Sequence, residues 1–247
     1  MAPQYFEQEQ KQALITWNAQ TSGWFMDASA YTGFHNTLAQ KIIPYLEPGD
    51  TLCDIGCGLG RLDIELAPYV SEILAVDVSE YATKTLSQDS RRAGIDNLHV
   101  LRGDAGELKD SFDIIVISLY GWQDLPKLLR QCRRRLIRIV SAGKKSGLYP
   151  ERYRRVAKNA VPDVKDELAA LGIGFNLEFC SFEFGQPLKT WQDAELFVLS
   201  NAPDANQDEI GAFLNANIRE TGRGDFPFYL PYLKELGIFM IETQNRT

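Results

Sequence analysis

Histidine is nearly missing from this chain, with only His35 and His99 among 247 residues. The four cysteines, Cys53, Cys57, Cys132 and Cys180, sit in or beside apolar segments and lack zinc-ligand spacing. A metal site is therefore not expected, and reduced buried thiols are expected in place of disulfides. Cys53 and Cys57 make a C-x-x-x-C pair, but Gly60 stands where a radical iron-sulfur triad would need its third thiol. No run approaches the ~18 apolar residues of a membrane span. The opening MAPQYFEQEQKQAL has neither a basic n-region nor an apolar h-region, so the expected location is cytosolic. Internal repeats and low-complexity tracts are absent as well.

Positive charge is in short supply overall, with a net charge of -7, yet it is unevenly placed. Between Lys127 and Lys158 stand twelve Lys and Arg against one acid, Glu151. A local basic face on an acidic chain suits an anionic substrate or a docking patch better than general nucleic-acid affinity. A solvated helix face is the simpler account of it.

The most informative stretch is Thr51 to Ala67, TLCDIGCGLGRLDIELA. Thr51, Leu52, Cys53 and Ile55 suit a buried strand, interrupted by the carboxylate of Asp54. Gly56, Gly58 and Gly60 let the main chain turn sharply and approach a ligand without a Cβ in the way, and Leu62, Ile64, Glu65 and Leu66 continue at helical spacing. Strand, glycine turn and helix together form a site for the polar part of a nucleotide-like ligand. The pattern is D-x-G-x-G-x-G, with Arg61 where a nicotinamide fingerprint wants its last glycine.

Around this stretch the chain alternates. Apolar segments at Glu72 to Val78, Asn97 to Leu101, Phe112 to Ser118 and Arg135 to Ser141 read as strands, with helices from Ser79 to about Ala93 and from Gln123 to Arg133. Such alternation indicates an α/β fold with a doubly wound, mostly parallel sheet whose carboxyl edge carries the ligand. Ahead of it, residues 1 to 46 read as a helical cap: a helix over Gln4 to Asn18, a break at Thr21-Ser22-Gly23, aromatics Trp24, Phe25, Tyr31 and Phe34, and a second helix over Asn36 to Leu46 that Pro44 kinks or ends. Glu151 to Leu171 looks helical, broken or restarted at Pro162. Phe175 to Phe184 and Leu236 to Glu242 read as terminal strands flanking an insertion, residues 185 to 234. One domain over 1 to 247 is the expectation.

CDIGCGLG, AVDVSE and RGDAGEL, in this order over about residues 40 to 141, resemble the class I S-adenosylmethionine-dependent methyltransferases. That resemblance implies a seven-stranded sheet with its last strand antiparallel. It also implies S-adenosyl-L-methionine as cofactor and S-adenosyl-L-homocysteine as product. The cofactor-binding residues it implies are Asp54, Gly56, Cys57, Gly58, Gly60, Asp77, Val78, Asp104, Ala105 and Ser118. In this scheme Gly56 and Gly58 bring backbone groups to the methionine end, and Asp54 helps fix the loop and the ammonium group. Asp77 offers two acceptor oxygens to the ribose hydroxyls. Val78 covers one adenine face, Asp104 and Ala105 meet the adenine edge, and Ser118 closes the site. Asp104 has a second reading, as N-cap of a short helix with Glu107 as its capping-box partner.

Methyl transfer needs alignment and exclusion of water more than a catalytic group, because the sulfonium already activates the methyl. A base matters when the acceptor is a hydroxyl or an ammonium group. The candidates are Tyr120 and His35; His99, inside its strand, reads as structural. Ser118-Leu119-Tyr120-Gly121 lacks the polar residue, two prolines and aromatic that relatives acting on planar amide or adenine nitrogens carry, which points away from those acceptors. A small-molecule acceptor, anionic if the basic stretch serves it, is the leading expectation, with the N-terminal aromatics and the insertion walling the pocket. An RNA or protein methyltransferase docking through 127 to 158, and a non-catalytic cofactor-binding protein, are the alternatives.

Overall fold

The structure, a computed structural model, describes residues 16–121, 124–143, 147–154 and 159–243. Most of the helix expected over Gln4 to Asn18 lies outside the described residues. The first described helix is α1, Ala19–Thr32, which runs through the expected break at Thr21-Ser22-Gly23. The physical reason is a cap: the Asn18 side chain accepts from the amides of Gln20 and Thr21, and Thr21 Oγ1 accepts from the Asn18 amide at 3.0 Å. Thr21 thus closes a capping box where the Thr21-Ser22-Gly23 run suggested a helix end. Gly33, at φ 65°, ends α1 and opens α2, Phe34–Ile42, which Pro44 terminates through a short 3-10 turn.

The sheet has seven strands: β1 Thr51–Ile55, β2 Glu72–Asp77, β3 Leu98–Arg102, β4 Phe112–Ser118, β5 Cys132–Ser141, β6 Asn176–Glu183 and β10 Leu233–Glu242. Their order is β3-β2-β1-β4-β5-β10-β6, and only β10 runs antiparallel to its neighbours. Helices α3 Arg61–Leu66, α4 Glu80–Arg92, α5 Leu125–Gln131 and α6 Val161–Ala170 connect the strands. Pro162 sits in the first turn of α6, so it starts that helix, as an N-terminal proline can without losing a hydrogen bond. This strand order, with one antiparallel strand, is the Rossmann-like architecture that the sequence resemblance implies.

The two sheet faces bury separate apolar layers. Phe34, Leu38, Ile42, Leu52, Leu66 and Ile238 belong to one, and Ile55, Ile115, Leu128, Leu136, Val164 and Phe239 to the other. Strand residues pointing alternately to opposite faces supply both, which is why the strands read as continuous apolar runs.

Between β6 and β10 the chain forms β7 Gln186–Leu188, α7 Trp191–Asn201, α8 Gln207–Asn217, β8 Arg219–Glu220 and β9 Phe228–Leu230. The short strands make their own sheet, β7-β9-β8, over a separate cluster that includes Leu188, Val198, Leu214 and Leu230. This unit is tied to α1. Trp24 Nε1 donates to Asp193 at 2.8 Å, Gln186 Nε2 donates to the Trp24 carbonyl at 3.0 Å, and Tyr31 stacks on Tyr229 with centroids 4.9 Å apart. At its base Phe184 N donates to the Tyr232 carbonyl at 2.8 Å, so the unit leaves the sheet and returns at one point.

Candidate active site

Parallel strands end together, so the loops after β1, β2, β3 and β4 meet at one edge. Gly56, Gly58 and Gly60 have φ of 75°, 55° and 63°. At Gly60 a side chain would also collide with Leu86 of α4, since an added Cβ would lie 2.2 Å from Leu86 Cδ1. Glycine is required there both for the left-handed backbone and for the close approach of α4. The turn is pinned to β2: the amides of Gly56 and Cys57 donate to the Val76 carbonyl at 2.8 and 3.1 Å. Gly58 N donates to Asp77 Oδ2 at 2.9 Å, while Ser79 N donates to Asp77 Oδ1 at 2.8 Å.

Asp77 therefore holds the loop as well as facing the crevice, a role its position alone did not reveal. Val78 beside it is 40% exposed, an apolar side chain left open at the site. Asp104 Oδ1 accepts from Gly106 N at 2.8 Å, capping the 3-10 turn Ala105–Glu107, and Ala105 is buried. Ser118 ends β4 and is partly buried. Leu119 follows at φ 55°, and this left-handed step throws Tyr120 back across the crevice. Tyr120 lies against Gly56, with its Cγ 2.4 Å from where a Cβ would sit. Burial, then the charges of Asp104 and Asp77, push its phenol pKa up, so Tyr120 stays protonated and lies over the glycine turn.

Beneath the turn two carboxylates are buried together. Asp54 is 3% exposed and Asp63 0%. Burial, then the neighbouring Asp63 charge, pushes the Asp54 carboxyl well up, and burial raises Asp63 to about 7. Asp54 Oδ1 and both Asp63 oxygens lack a geometric hydrogen-bond partner among the described residues. Burial and mutual repulsion both disfavour two charges at this spot. Cys57 is part-buried, and its thiol is pushed far up by burial and by the same carboxylates, which leaves it inert.

His35 stands on the other side of the turn. Its Nδ1 lies 2.7 Å from Ser29 Oγ, and its ring packs among Phe25, Phe34 and Phe184 at centroid distances of 5.2, 4.8 and 5.9 Å. Burial, then Lys234 and Arg61, lower its pKa to about 3, so the imidazole is neutral across the physiological range. Trp17 closes this wall, 5.2 Å from Phe25 and 3.3 Å from where a Gly58 Cβ would sit. His99, by contrast, is exposed on the edge strand β3 and lies 3.0 Å from Glu72.

The structure also accounts for the basic stretch. Arg133 pairs with Asp113, Arg134 with Asp50 and Glu47, Arg135 with Glu242, Arg138 with Glu167 and Arg152 with Glu209. Clustering in sequence had suggested a common face. Strand alternation sends the four arginines of β5 to both faces, and Arg152 stands on a 3-10 turn; acids distant in sequence meet all five. Lys144, Lys145, Arg155 and Lys158 lie outside the described residues. The sequence singled out neither Trp17, Asp63 nor Lys234, all of which lie beside the turn or its aromatic wall, and Arg61 stood only as a departure from a glycine pattern. Only Arg61 and Asp63 had a signal, by standing inside the turn-helix stretch.

Residues 52–138 match the family model described as a methyltransferase domain. A probable cobalt-precorrin-6B C(15)-methyltransferase (decarboxylating) of Methanococcus maripaludis is 33% identical over 97 residues, covering 39% of this chain and 54% of the relative. A ribosomal protein L11 methyltransferase of Thermotoga petrophila is 33% identical over 92 residues, 36% of this chain and 35% of that protein. The chain thus spans about half the length, or less, of the curated relatives it matches. In fold, it is similar to the YcgJ protein of Bacillus subtilis, with a TM-score of 0.55, 16% identity, and coverage of 86% of this chain and 100% of that one. A magnesium protoporphyrin IX methyltransferase of Synechocystis with bound S-adenosylmethionine aligns with a TM-score of 0.51 at 14% identity, over 96% of this chain and 91% of that one.

Proposed function

We propose that this chain is an S-adenosylmethionine-dependent methyltransferase acting on a small-molecule acceptor, with residues 16–46 and 185–234 forming the cap and lid of the acceptor pocket. The observation that carries the reading is Asp77, whose carboxylate ties the glycine turn at Gly58 to the start of the next helix at Ser79, beside the buried Asp54. The crevice fits the cofactor: an orphaned carboxylate oxygen of Asp54 suits an ammonium group, and Asp77 keeps unused lone pairs for ribose hydroxyls. When bound, the cofactor supplies a sulfonium-activated methyl.

The chain's own part is alignment. Asp54, Gly56, Gly58 and Gly60 would hold the amino-acid end, and Cys57 contributes backbone only. Asp77 and Val78 would take the ribose and adenine, and Asp104, Ala105 and Ser118 the adenine rim. Tyr120 would lie over the bound cofactor as a protonated phenol, and His35 would line the acceptor side as a neutral imidazole. This array orients the reactants and keeps water out. The capping by Asp104 uses one of its oxygens and leaves the second for an adenine amine.

A macromolecular acceptor, as the L11 relatives would suggest, is disfavoured because five arginines of the basic stretch are already paired within the chain. Incubating the protein with methyl-labelled cofactor and fractionated cell extract tests the proposal. Label in the small-molecule fraction supports it, and label confined to protein or RNA refutes it. No transfer with retained cofactor affinity would mark a binding protein.

A further inference from the structure

Lys234 and His35 share the Phe34 and Phe184 rings, and Arg61 opens the helix that Asn36, beside His35, reaches at Glu65. Lys234, the second residue of β10, is part-buried, with its Nζ 4.9 Å from the Phe184 centroid and 5.5 Å from that of Phe34. Arg61 directly follows Gly60 and is also part-buried. Among the described residues neither has an ion-pair partner, although the chain carries an acidic excess. The nearby acids are otherwise occupied: Glu65 accepts from Asn36 Nδ2 at 2.8 Å, and Glu183 from the Tyr229 hydroxyl. Part-buried charge without a counter-ion is costly, and structures supply one where they can.

We infer that Arg61, Lys234 and His35 form a subsite for an anionic group, a carboxylate or phosphate, on the methyl acceptor. The inference rests on the methyltransferase reading. The aromatic wall of Trp17, Phe25, Phe34 and Phe184 would take the apolar body of the same molecule. Electrostatics agree with this placement, since both cations act on the His35 imidazole and burial lowers Lys234 to about 8, still charged at neutral pH.

Topology separates this subsite from the cofactor's own carboxylate. Asp77 and Asp104 place the nucleoside over β2 and β3, on one side of β1. Lys234 and Phe184 lie at the same edge of the sheet but on the other side of β1, since Leu233 pairs with Glu183 and Leu236 with Ser141, the last residue of β5. β10 stands three strand positions from β1, about 14 Å at ordinary strand spacing. A ligand reaching Lys234 would sit on the opposite side of β1 from the residues that would hold the nucleoside, the side left for an acceptor.

The test measures S-adenosylhomocysteine affinity by calorimetry, then binding of benzoate and of inorganic phosphate to the chain loaded with that product. The variants are Lys234→Met, Arg61→Met and Lys234→Arg. The expected result is saturable binding of at least one anion to the parent, at least tenfold weaker in both Met variants and largely restored in Lys234→Arg. The product's affinity should stay within about twofold throughout, and the melting temperature of Lys234→Met should not fall. A tenfold loss of product affinity in the Met variants overturns the inference, because the cations would then serve the cofactor's carboxylate. Equal anion binding in parent and variants overturns it too. A parent that binds the product but no anion overturns the subsite alone, whereas a parent that fails to bind the product overturns the methyltransferase reading and the subsite with it.

Discussion

Replacing Asp77 separates its two tasks, holding the loop and holding the ligand. In the free chain its carboxylate accepts from Gly58 N at 2.9 Å and Ser79 N at 2.8 Å. Hydrogen bonds to a charged group contribute about 1.5–3 kcal/mol each when buried. Asp77 is only part-buried, and water can replace part of the loss, so Asp77→Ala should cost about 1–3 kcal/mol of stability in the absence of ligand. For a chain of this size that lowers the melting temperature by roughly 2–6 °C, at about 2 °C per kcal/mol. Losing the ribose acceptors adds a further ~1.5–3 kcal/mol to the binding deficit, about ten- to a hundredfold in affinity for S-adenosylhomocysteine. Asp77→Asn should fall between, because an amide offers one acceptor and turns its NH2 towards the other backbone donor. His99→Ala is the control: its ring is exposed and its contact with Glu72 is a surface pair, of small effect. The assays are thermal melting without ligand and calorimetric titration with S-adenosylhomocysteine. Affinity of Asp77→Ala within twofold of the parent would falsify the ribose assignment, and an unchanged melting temperature would remove its part in holding the loop.

Asp63→Asn should stabilise the chain above about pH 7. The folded-state pKa of about 7 exceeds the unfolded carboxylate value, so Asp63 draws stability down as pH rises from about 4 to 7, by at most ~4 kcal/mol at 1.4 kcal/mol per unit. Denaturant unfolding at pH 8 and pH 4 checks this, and a gain of equal size at both would refute the titration. For His35 the sign is opposite: its folded pKa, about 3, lies below the unfolded 6.5, so the imidazole costs stability as pH falls through that window. His35→Gln should therefore gain on the parent by up to about 1.4 kcal/mol per pH unit below 6.5, and parallel pH profiles of the two proteins would show that His35 does not titrate in this way. Because the insertion leaves and returns beside the Phe184–Tyr232 hydrogen bond, residues 185–231 can be exchanged for a two-residue Asn-Gly turn that keeps β6 and β10 paired. Cutting out 205–230 alone would remove β9 and strand β7, so it is the poorer test. The exchanged chain should bind S-adenosylhomocysteine within a few-fold and transfer no methyl; retained transfer to a small acceptor would make the insertion a docking or assembly element.

Local pattern was enough for the sheet and the cofactor edge. The apolar runs at Thr51, Glu72 and Phe112 begin strands at those residues, because parallel strands buried on both faces leave a continuous signature in sequence. The glycines at 56, 58 and 60 announced a turn because glycine takes the left-handed backbone they adopt without the steric cost a side chain brings. Helix α1 was misread at Thr21 because a capping residue and a helix breaker can be the same amino acid, distinguished only by what its hydroxyl reaches. The pairing of the arginines in 127 to 158, the meeting of Asp54 with Asp63 and the convergence of His35, Arg61 and Lys234 were beyond sequence reading. Each joins residues whose separation along the chain is unrelated to their separation in space. Residues 35 and 234 pack on the same rings, Phe34 and Phe184, because α2 begins and β10 enters at the same edge of the sheet, and that follows from strand order, a property of the folded chain that no local pattern encodes.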